Sequence, residues 1–223
     1  MTSARAHLRS KGEASMTTTS DRRAHWDGVY DAKSAEEVSW FQPTPDVSLK
    51  LVRRTIAKRK GAIVDVGGGA STLVDHLLGE GFGDVSVLDL SQESLKQAQA
   101  RLGGAADRID WIVADATAWR PQRSYQLWHD RAVLHFFTDK GHQTMYAKAL
   151  YEAVAADGWV VIGGFAPGGP AKCSGLDVVQ HDAESLGALL GPRFKLLETH
   201  GEIHVTPWGA EQAFRYHLFQ RRS

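Results

Sequence analysis

Three acidic residues stand at the ends of short apolar segments, where carboxylates can bind the polar groups of a nucleoside-like ligand. Asp65 precedes three consecutive glycines, Asp89 follows about 20 residues beyond them, and Asp115 ends a third apolar segment. A carboxylate at Asp89 can accept hydrogen bonds from both hydroxyls of a ribose, and charge-assisted bonds contribute roughly 1.5–3 kcal/mol each. Asp115 can accept from the exocyclic amine of an adenine. The alternative interpretation of Asp89 is a helix N-cap, which favours the same residue type.

The sequence DVGGGAST, residues 65–72, can form a tight turn in which the backbone approaches a ligand. A helix that begins after this turn offers free N–H groups, which suit a carboxylate or a phosphate. Thr72 stands at the third glycine position of the dinucleotide-binding pattern GxGxxG, so the segment matches that pattern poorly. A plain strand-to-helix turn is the alternative interpretation.

The segments that carry these residues alternate between strand-like and helix-like patterns. Strands are predicted at residues 62–68, 85–88, 109–113, 125–130 and 159–165, and helices at 46–60, 71–79, 91–102 and 139–155. Alternation with short connections implies a parallel sheet covered by helices on both faces. Because ligands of such sheets bind at the carboxyl ends of the strands, the three acids and the segment after the fourth strand converge there.

The C-terminal part of the chain departs from this alternation. Residues 194–199 and 213–220 both have strand-like patterns, and no helical pattern separates them. Two strands without a crossover helix pair antiparallel. An antiparallel final strand on a parallel sheet argues against a plain NAD-dependent dehydrogenase.

Length and composition limit the possible functions. The chain has 223 residues, which suits one domain over residues 21–223, and we expect residues 1–20 to form a disordered tail. Equal numbers of basic and acidic residues, 26 each, argue against a nucleic-acid partner. No apolar run is long enough for a membrane span. A single cysteine, Cys173, excludes an internal disulfide and fits a cytoplasmic location, and no histidine spacing suggests a metal site.

From about Trp26 to its C-terminus, the chain resembles the class I S-adenosylmethionine (SAM)-dependent methyltransferases. The motifs that carry the resemblance are DVGGGAS, VLDLS around Asp89, VAD at Asp115 and HDRAVLHF at residues 129–136. The resemblance implies an α/β fold with a doubly wound, seven-stranded, mostly parallel sheet, an antiparallel C-terminal strand, helices on both faces and an N-terminal helical lid. One departure is Ser71, which stands where the family usually has a third glycine.

The resemblance also implies roles for individual residues, with SAM as the cofactor. The methionyl part of SAM would face Asp65, Gly67, Gly68 and Gly69. The ribose would be bound at Asp89 and Leu90, the adenine at Asp115 and Ala116, and the floor of the site would be formed by His129 or Asp130.

Among the aromatic residues of the N-terminal segment, Tyr30 and Trp40 are the candidates for the lid, and Trp26 is a further candidate for cofactor binding. Trp26, Tyr30 and Trp40 lie in motifs similar to those of a subgroup that includes small-molecule methyltransferases and some protein-lysine methyltransferases. Aromatic faces attract cations, and a sulfonium is a cation. The alternative interpretation is that these rings only pack the N-terminal helix onto the sheet.

The residues on the acceptor side are less well defined by the sequence. His135 follows the fourth strand and is our candidate general base, with a hydrogen-bonded first-turn residue as the alternative. One interpretation of His181, His200 and His204 is that they converge on the mouth of the site, and the alternative is that they are surface residues; Cys173 lies in a glycine-rich loop.

The sequence therefore predicts a methyltransferase that acts on a small-molecule acceptor. A small thiol or related sulfur compound is favoured, because no obvious base or metal site stands out and a thiol needs little help to ionise. Methylation of a protein lysine is one alternative, which an acidic rim would favour and a closed pocket would oppose. An NAD-dependent oxidoreductase and a SAM-binding regulator without catalytic activity are the others. The oligomeric state is not indicated.

Overall fold

The computed structural model describes residues 18–56 and 60–223. The helices are α1 (Thr19–Ala32), α2 (Asp46–Thr55), α3 (Leu73–Gly79), α4 (Gln92–Leu102), α5 (Lys140–Ala153) and α6 (Ala183–Leu190). The strands are β1 (Ile63–Val66), β2 (Val85–Asp89), β3 (Asp110–Val113), β4 (Tyr125–Arg131), β5 (Val154–Phe165), β6 (Lys172–Cys173), β7 (Leu176–Asp177), β8 (Phe194–Val205) and β9 (Glu211–Arg221). Short 3₁₀ helices occur at Ala35–Glu37, Gly103–Arg108 and Leu134–Phe136.

Seven strands form one sheet in the order β3-β2-β1-β4-β5-β9-β8. Strands β1 to β5 pair in parallel, and β9 runs antiparallel to both of its neighbours. The predicted fold is therefore confirmed, including the antiparallel C-terminal strand. The strand order reverses between β1 and β4, and this reversal opens a crevice at the carboxyl ends of the strands, where ligands of such sheets bind.

Helices cover both faces of the sheet, as predicted. Side chains alternate along each buried strand, so Ile63 and Leu127 face α2, α3 and α4, whereas Val64 and Trp128 face α5 and α6. Each face is an apolar cluster of buried residues. The two clusters fix the ends of β1 and β4 relative to each other, and these ends carry the candidate site.

The last two strands are longer than the sequence predicted. Strand β8 continues to Val205 and β9 begins at Glu211, so together they form a long antiparallel hairpin. The second half of β8 is an edge segment of mostly polar residues, in which the apolar alternation used for prediction is weak. The glycine-rich loop after β5 contains the small antiparallel pair β6 and β7.

Helix α1 begins within the segment that was expected to be a disordered tail. Residues 1–17 lie outside the described part of the chain, but residues 18–20 cap and open α1, which corrects the predicted boundary. Thr18 and Asp21 form a capping box in which each side chain bonds to the other residue's backbone N–H. Over the described residues, no helix is both long and apolar enough to cross a bilayer.

Candidate functional site

Two adjoining cavities lie at the carboxyl ends of β1, β2 and β4. The larger one, the main cavity, contains about 880 Å³ of space, part of it open to solvent, and the second, the glycine-side cavity, contains about 560 Å³. Both cavities share the lining residues Tyr30, Trp40, Gly67 and Arg131. The main cavity also contains the predicted site residues Trp26, Asp89, Leu90, Asp115 and Ala116, and the glycine-side cavity contains Asp65, Gly68 and His129.

The glycine turn after β1 brings backbone to both cavities. Gly67 has a φ of 67°, and a Cβ on it would lie 1.9 Å from Cγ2 of Val133. Gly69 has a φ of 38°, and its Cβ would lie 2.7 Å from Oδ2 of Asp89. Gly69 lines neither cavity, and its contact with the methionyl group of SAM stays a prediction. Its lack of a side chain leaves room for the Asp89 carboxylate.

Asp89 ends β2 with its carboxylate at the main cavity. Its Oδ1 accepts a hydrogen bond of 2.8 Å from the backbone N–H of Ser91. Burial raises the pKa of Asp89 to about 7, although hydrogen bonds from Ser91 and Ser94 oppose the shift. Ser91 itself is the N-cap of α4, since its side chain accepts from the N–H of Ser94. The alternative that Asp89 is the N-cap is therefore not what the structure shows.

Asp65 and His129 form a buried polar group on neighbouring strands at the glycine-side cavity. Nδ1 of His129 lies 2.7 Å from Oδ1 of Asp65, and Nε2 lies 2.9 Å from Oγ of Ser48 on α2. Both ring nitrogens thus have partners, and the imidazole is held in one orientation. Ser48 escaped the sequence analysis because only the apolar positions of α2 were used to define that helix.

Asp130 points away from both cavities, which corrects its predicted place on the floor of the site. Its carboxylate accepts from the backbone N–H groups of Val133 and Leu134, at 2.9 and 3.1 Å, and from the hydroxyl of Tyr146 at 2.5 Å. Burial raises its pKa to about 6. Because side chains alternate along a strand, His129 and Arg131 share the face that Asp130 cannot reach. The role of Asp130 is to fix the turn after β4.

Asp115 lines the main cavity, but its oxygens already have donors. Oδ1 accepts from the N–H and hydroxyl of Thr117, and Oδ2 accepts from the hydroxyl of Thr19 at 2.6 Å and from the guanidinium of Arg22. Burial raises the pKa of Asp115, but these hydrogen bonds outweigh burial and leave it below its ordinary value. The carboxylate therefore ties α1 to the sheet, and an adenine amine would have to share or displace these donors.

The lid side of the main cavity is one face of α1. Arg22, Trp26 and Tyr30 follow one another at intervals of four residues, which places them on the same helix face, and all three line the cavity. This spacing could have identified Arg22, which the sequence analysis missed. Trp40 lies edge-on to Trp26 and Tyr30, with ring centroids 5.8 and 6.3 Å apart. The rings thus both pack together and line the cavity.

His135 lines neither cavity, and its placement argues against the predicted role of general base. Its ring is buried against Phe136 and Phe165, at centroid distances of 4.3 and 5.2 Å, and within the described chain neither ring nitrogen has a hydrogen-bond partner. Burial, followed by the charges of Arg131 and His181, lowers the pKa of His135 to about 3. A base this weak and this enclosed is unsuited to accept a proton from a bound acceptor.

The buried imidazole of His135 is expected to make the fold less stable in acid. Its folded-state pKa lies below the usual value of 6.5, so the unfolded chain binds the additional proton. The contribution is complete above about pH 6.5 and is lost at about 1.4 kcal/mol per pH unit as the pH falls toward 3. Urea unfolding at pH 7.5 and 5.5 checks this. His135→Leu should have a shallower pH slope than the parent, and an identical slope would contradict the assignment.

The acceptor side of the main cavity is apolar except at two points. It is lined by Phe136, Phe137, Phe165, Cys173 and Phe214, together with Arg131 and Gln212. Burial raises the pKa of the Cys173 thiol to about 11, although the Arg131 cation opposes the shift. His181, His200 and His204 do not line either cavity. The predicted convergence of these histidines on the pocket is therefore not observed.

Comparisons with known proteins agree with this geometry. Residues 63–158 match the family model described as a methyltransferase domain. This segment runs from β1 into β5 and contains Asp65, the glycine turn, Asp89, Asp115 and His129. No curated protein sequence matches the chain.

Many solved structures share the fold. The N-methyltransferase NodS from Bradyrhizobium japonicum in complex with S-adenosyl-L-homocysteine has a TM-score of 0.65 at 14% identity, covering 88% of this chain and 98% of that one. A Burkholderia thailandensis 1,6-didemethyltoxoflavin-N1-methyltransferase has 0.67 at 17%, covering 99% and 94%. A structure described for the conversion of a disulfide bond into a thioacetal group during echinomycin biosynthesis has 0.72 at 19%, covering 90% and 93%. At these identities the likeness shows the fold alone.

Proposed function

We propose that this chain, which contains a methyltransferase domain and shares the fold of SAM-dependent methyltransferases, transfers a methyl group from SAM to a small molecule, and specifically to a thiol or a related sulfur compound. The main cavity would hold the adenosyl part of SAM and the acceptor, and the glycine-side cavity would hold the methionyl part. SAM supplies a methyl group on a positively charged sulfur, which makes the methyl transferable without a metal.

The residues present fit this cofactor. The glycine turn packs tightly against Val133 and Asp89, where a Cβ on Gly67 or Gly69 would collide, and this packing brings the backbone of Gly67 to the border of both cavities. Asp89 presents a buried carboxylate to the cavity, suited to a pair of ribose hydroxyls. Tyr30 and Trp40 line the junction of the two cavities, where their ring faces suit a sulfonium.

The observation that carries the sulfur proposal is that the main cavity offers no evident general base among its described titratable side chains. Those lining the main cavity are Arg22, Tyr30, Asp89, Asp115, Arg131 and Cys173. Asp89 is placed for the cofactor, Asp115 is occupied by four donors, and the thiol of Cys173 keeps its proton at neutral pH. An acceptor that ionises without a general base fits this setting, and a thiol, with a free pKa near 8.5, is such an acceptor.

The shape of the cavity supports a small acceptor over a protein lysine. Helix α1 crosses the cavity and is fixed to the sheet through Arg22 and Asp115, and the opposite wall consists of aromatic rings. The cation of Arg131 at this wall disfavours a lysine ammonium. The fold shared with the Burkholderia enzyme and with the structure from echinomycin biosynthesis is compatible with small-molecule and sulfur acceptors, respectively.

Release of S-adenosylhomocysteine (SAH) by the purified protein tests the proposal. The panel contains small thiols, phenols, carboxylates and amines, each with SAM at a saturating concentration. We expect turnover to be confined to thiols, since alignment alone can lower the barrier by roughly 7–11 kcal/mol once the nucleophile is ionised. Turnover confined to another class would overturn the sulfur assignment. Silence across the panel in a protein that binds SAH would overturn the small-molecule assignment.

SAH affinity is expected to decrease below about pH 7 because Asp89 must be ionised to accept from the ribose hydroxyls. Its pKa of about 7 in the free protein means that binding in acid releases a proton, so affinity drops by up to about tenfold per pH unit. Calorimetry in buffers of different ionisation enthalpy measures the proton release directly. In Asp89→Asn this release should disappear; its persistence would assign the proton to another group.

A further inference from the structure

Arg131 is the last residue of β4 and lines both cavities. Its guanidinium is fixed by three neighbours. Nε donates to the hydroxyl of Tyr216 at 2.9 Å, Nη1 donates to the backbone carbonyl of Trp40 at 2.9 Å, and the group lies over the ring of Phe214 with its carbon 4.4 Å from the centroid. The cation is therefore held in place at the acceptor side of the main cavity.

The charge of Arg131 is incompletely balanced by the protein. Its side chain is only 11% exposed, and among the described residues Nη2 has no hydrogen-bond partner. The nearest carboxylate oxygen is Oε2 of Glu202, 3.9 Å from Nη2. Glu202 already accepts from the hydroxyl of Tyr216 at 2.8 Å and from the side-chain amide of Gln42 at 2.9 Å. A buried cation without a close partner is costly, so a ligand that supplies one is favoured.

The other charged side chains of the main cavity either have an ion-pair partner or lie away from the acceptor side. Arg22 is paired with Asp115, and Asp89 lies at the end of β2, on the cofactor side. Around Arg131 the wall is formed by the rings of Phe136, Phe165 and Phe214. The acceptor side thus combines an apolar surface with one cation.

We propose that Arg131 makes this part of the cavity a subsite for an anionic acceptor, namely a small molecule with an apolar body and a negatively charged carboxylate or thiolate. The proposal rests on the proposed function insofar as a small acceptor enters the main cavity. A neutral acceptor leaves the guanidinium without a partner, and an ammonium adds a second cation beside it. If the charged group is the reacting sulfur, Arg131 also favours its ionised form.

Binding of three benzene derivatives of like shape to SAH-saturated protein tests the charge preference without turnover. The probes are benzoate, benzamide and benzamidinium, and ligand-observed NMR gives their dissociation constants. We expect benzoate to bind at least about tenfold more tightly than benzamide, with benzamidinium weakest. Equal affinities, or no binding by any probe, would overturn the proposal. Because no methyl is transferred, silence in the acceptor panel leaves this result interpretable.

Two substitutions separate the charge of Arg131 from its structural contacts. In Arg131→Gln the preference should shrink to within about twofold, and in Arg131→Lys part of it should return. If the role of Arg131 were purely structural, its replacement would weaken the binding of all three probes equally and would also lower SAH affinity. Discrimination that survives in Arg131→Gln would contradict the assignment.

Glu202→Gln is the opposing variant, because it removes the carboxylate whose Oε2 lies 3.9 Å from Nη2 of Arg131. Benzoate affinity should then rise by about threefold or more, a gain that misfolding cannot produce. Glu198→Gln is the matched control on the same strand, since Glu198 pairs with Arg54 at the surface; benzoate affinity should change less than about twofold. A fall in benzoate affinity in Glu202→Gln would overturn the proposal.

Thiophenol, which titrates near neutral pH and whose thiolate absorbs ultraviolet light more strongly than the thiol, distinguishes the two kinds of anion. If the charge at Arg131 is the sulfur, the thiol's pKa when bound to SAH-saturated protein should lie at least about one unit below its free value, and Arg131→Gln should restore it. An unshifted pKa together with a benzoate preference assigns the subsite to a carboxylate of the acceptor. The absence of both effects, the pKa shift and the benzoate preference, would overturn the proposal.

Discussion

Replacement of Asp89 by alanine is expected to weaken SAH binding by at least about 100-fold while the protein stays folded. The side chain would bond both ribose hydroxyls, and two charged hydrogen bonds at roughly 1.5–3 kcal/mol each amount to about 3 kcal/mol or more. The loss in the free energy of unfolding should be smaller. Burial of the carboxyl is itself unfavourable, which is why its pKa is raised to about 7, and alanine leaves mainly the N–H of Ser91 without an acceptor. Calorimetry and thermal unfolding measure the two quantities.

Asp84→Ala is the matched control for this substitution. Asp84 immediately precedes β2, at its opposite end, and forms a surface ion pair with Arg123. Its replacement should change SAH affinity by less than about twofold, because Asp84 lines neither cavity. The loss of stability should also be small, since an exposed ion pair contributes only about 0–1 kcal/mol. Unchanged SAH affinity in Asp89→Ala would remove Asp89 from the cofactor site.

The fold was predictable because its signals are local and repeated. Buried parallel strands such as β1 and β2 are short apolar runs, and Ser91 marks the start of α4 through its capping hydrogen bond. The antiparallel final pair followed from the missing crossover helix between β8 and β9. Residues at the ends of these strands, such as Asp89, were therefore placed at the cavity without knowledge of any tertiary contact.

The errors at the site came from side-chain direction. At the end of β4 and in the turn after it, the sequence analysis chose His129 or Asp130 and, farther on, His135, whereas the structure turns His129 and Arg131 to the cavities. Alternation along β4 already groups Arg131 with His129, so this error was avoidable. The orientation of His135 depends on the 3₁₀ turn that Asp130 stabilises, and this turn has no clear sequence signal.

Contacts with distant parts of the chain were beyond reach of the sequence. Asp115 bonds to Thr19 and Arg22 on α1, which are more than 90 positions away. The balance of charge around Arg131 depends on Glu202, from β8. Spacing can place residues on one strand end or helix face, but it does not show which side chains from separate elements meet.

The glycine turn provides the second large expected effect, since Gly67→Ala should abolish measurable SAH binding. The added Cβ would lie 1.9 Å from Cγ2 of Val133, and a φ of 67° is unfavourable for alanine. Strain of this kind costs about 1–3 kcal/mol and overpacking a similar amount, so the turn or Val133 must shift. Both cavities border Gly67, so either movement changes them, and we expect affinity to fall by more than about 100-fold.

Two further variants show whether the collision or the backbone is responsible. Gly79 is the last residue of helix α3, and a Cβ added to it meets nothing within 4 Å. Gly79→Ala should therefore leave SAH affinity unchanged. The double variant Gly67→Ala with Val133→Ala removes the colliding methyl but keeps the positive φ. Partial recovery of affinity in the double variant would identify the collision as one cause, with the remaining loss due to the backbone. Normal SAH affinity in Gly67→Ala alone would show that the turn can accommodate a side chain without loss of binding. The proposal that its backbone closely approaches the cofactor would then be wrong.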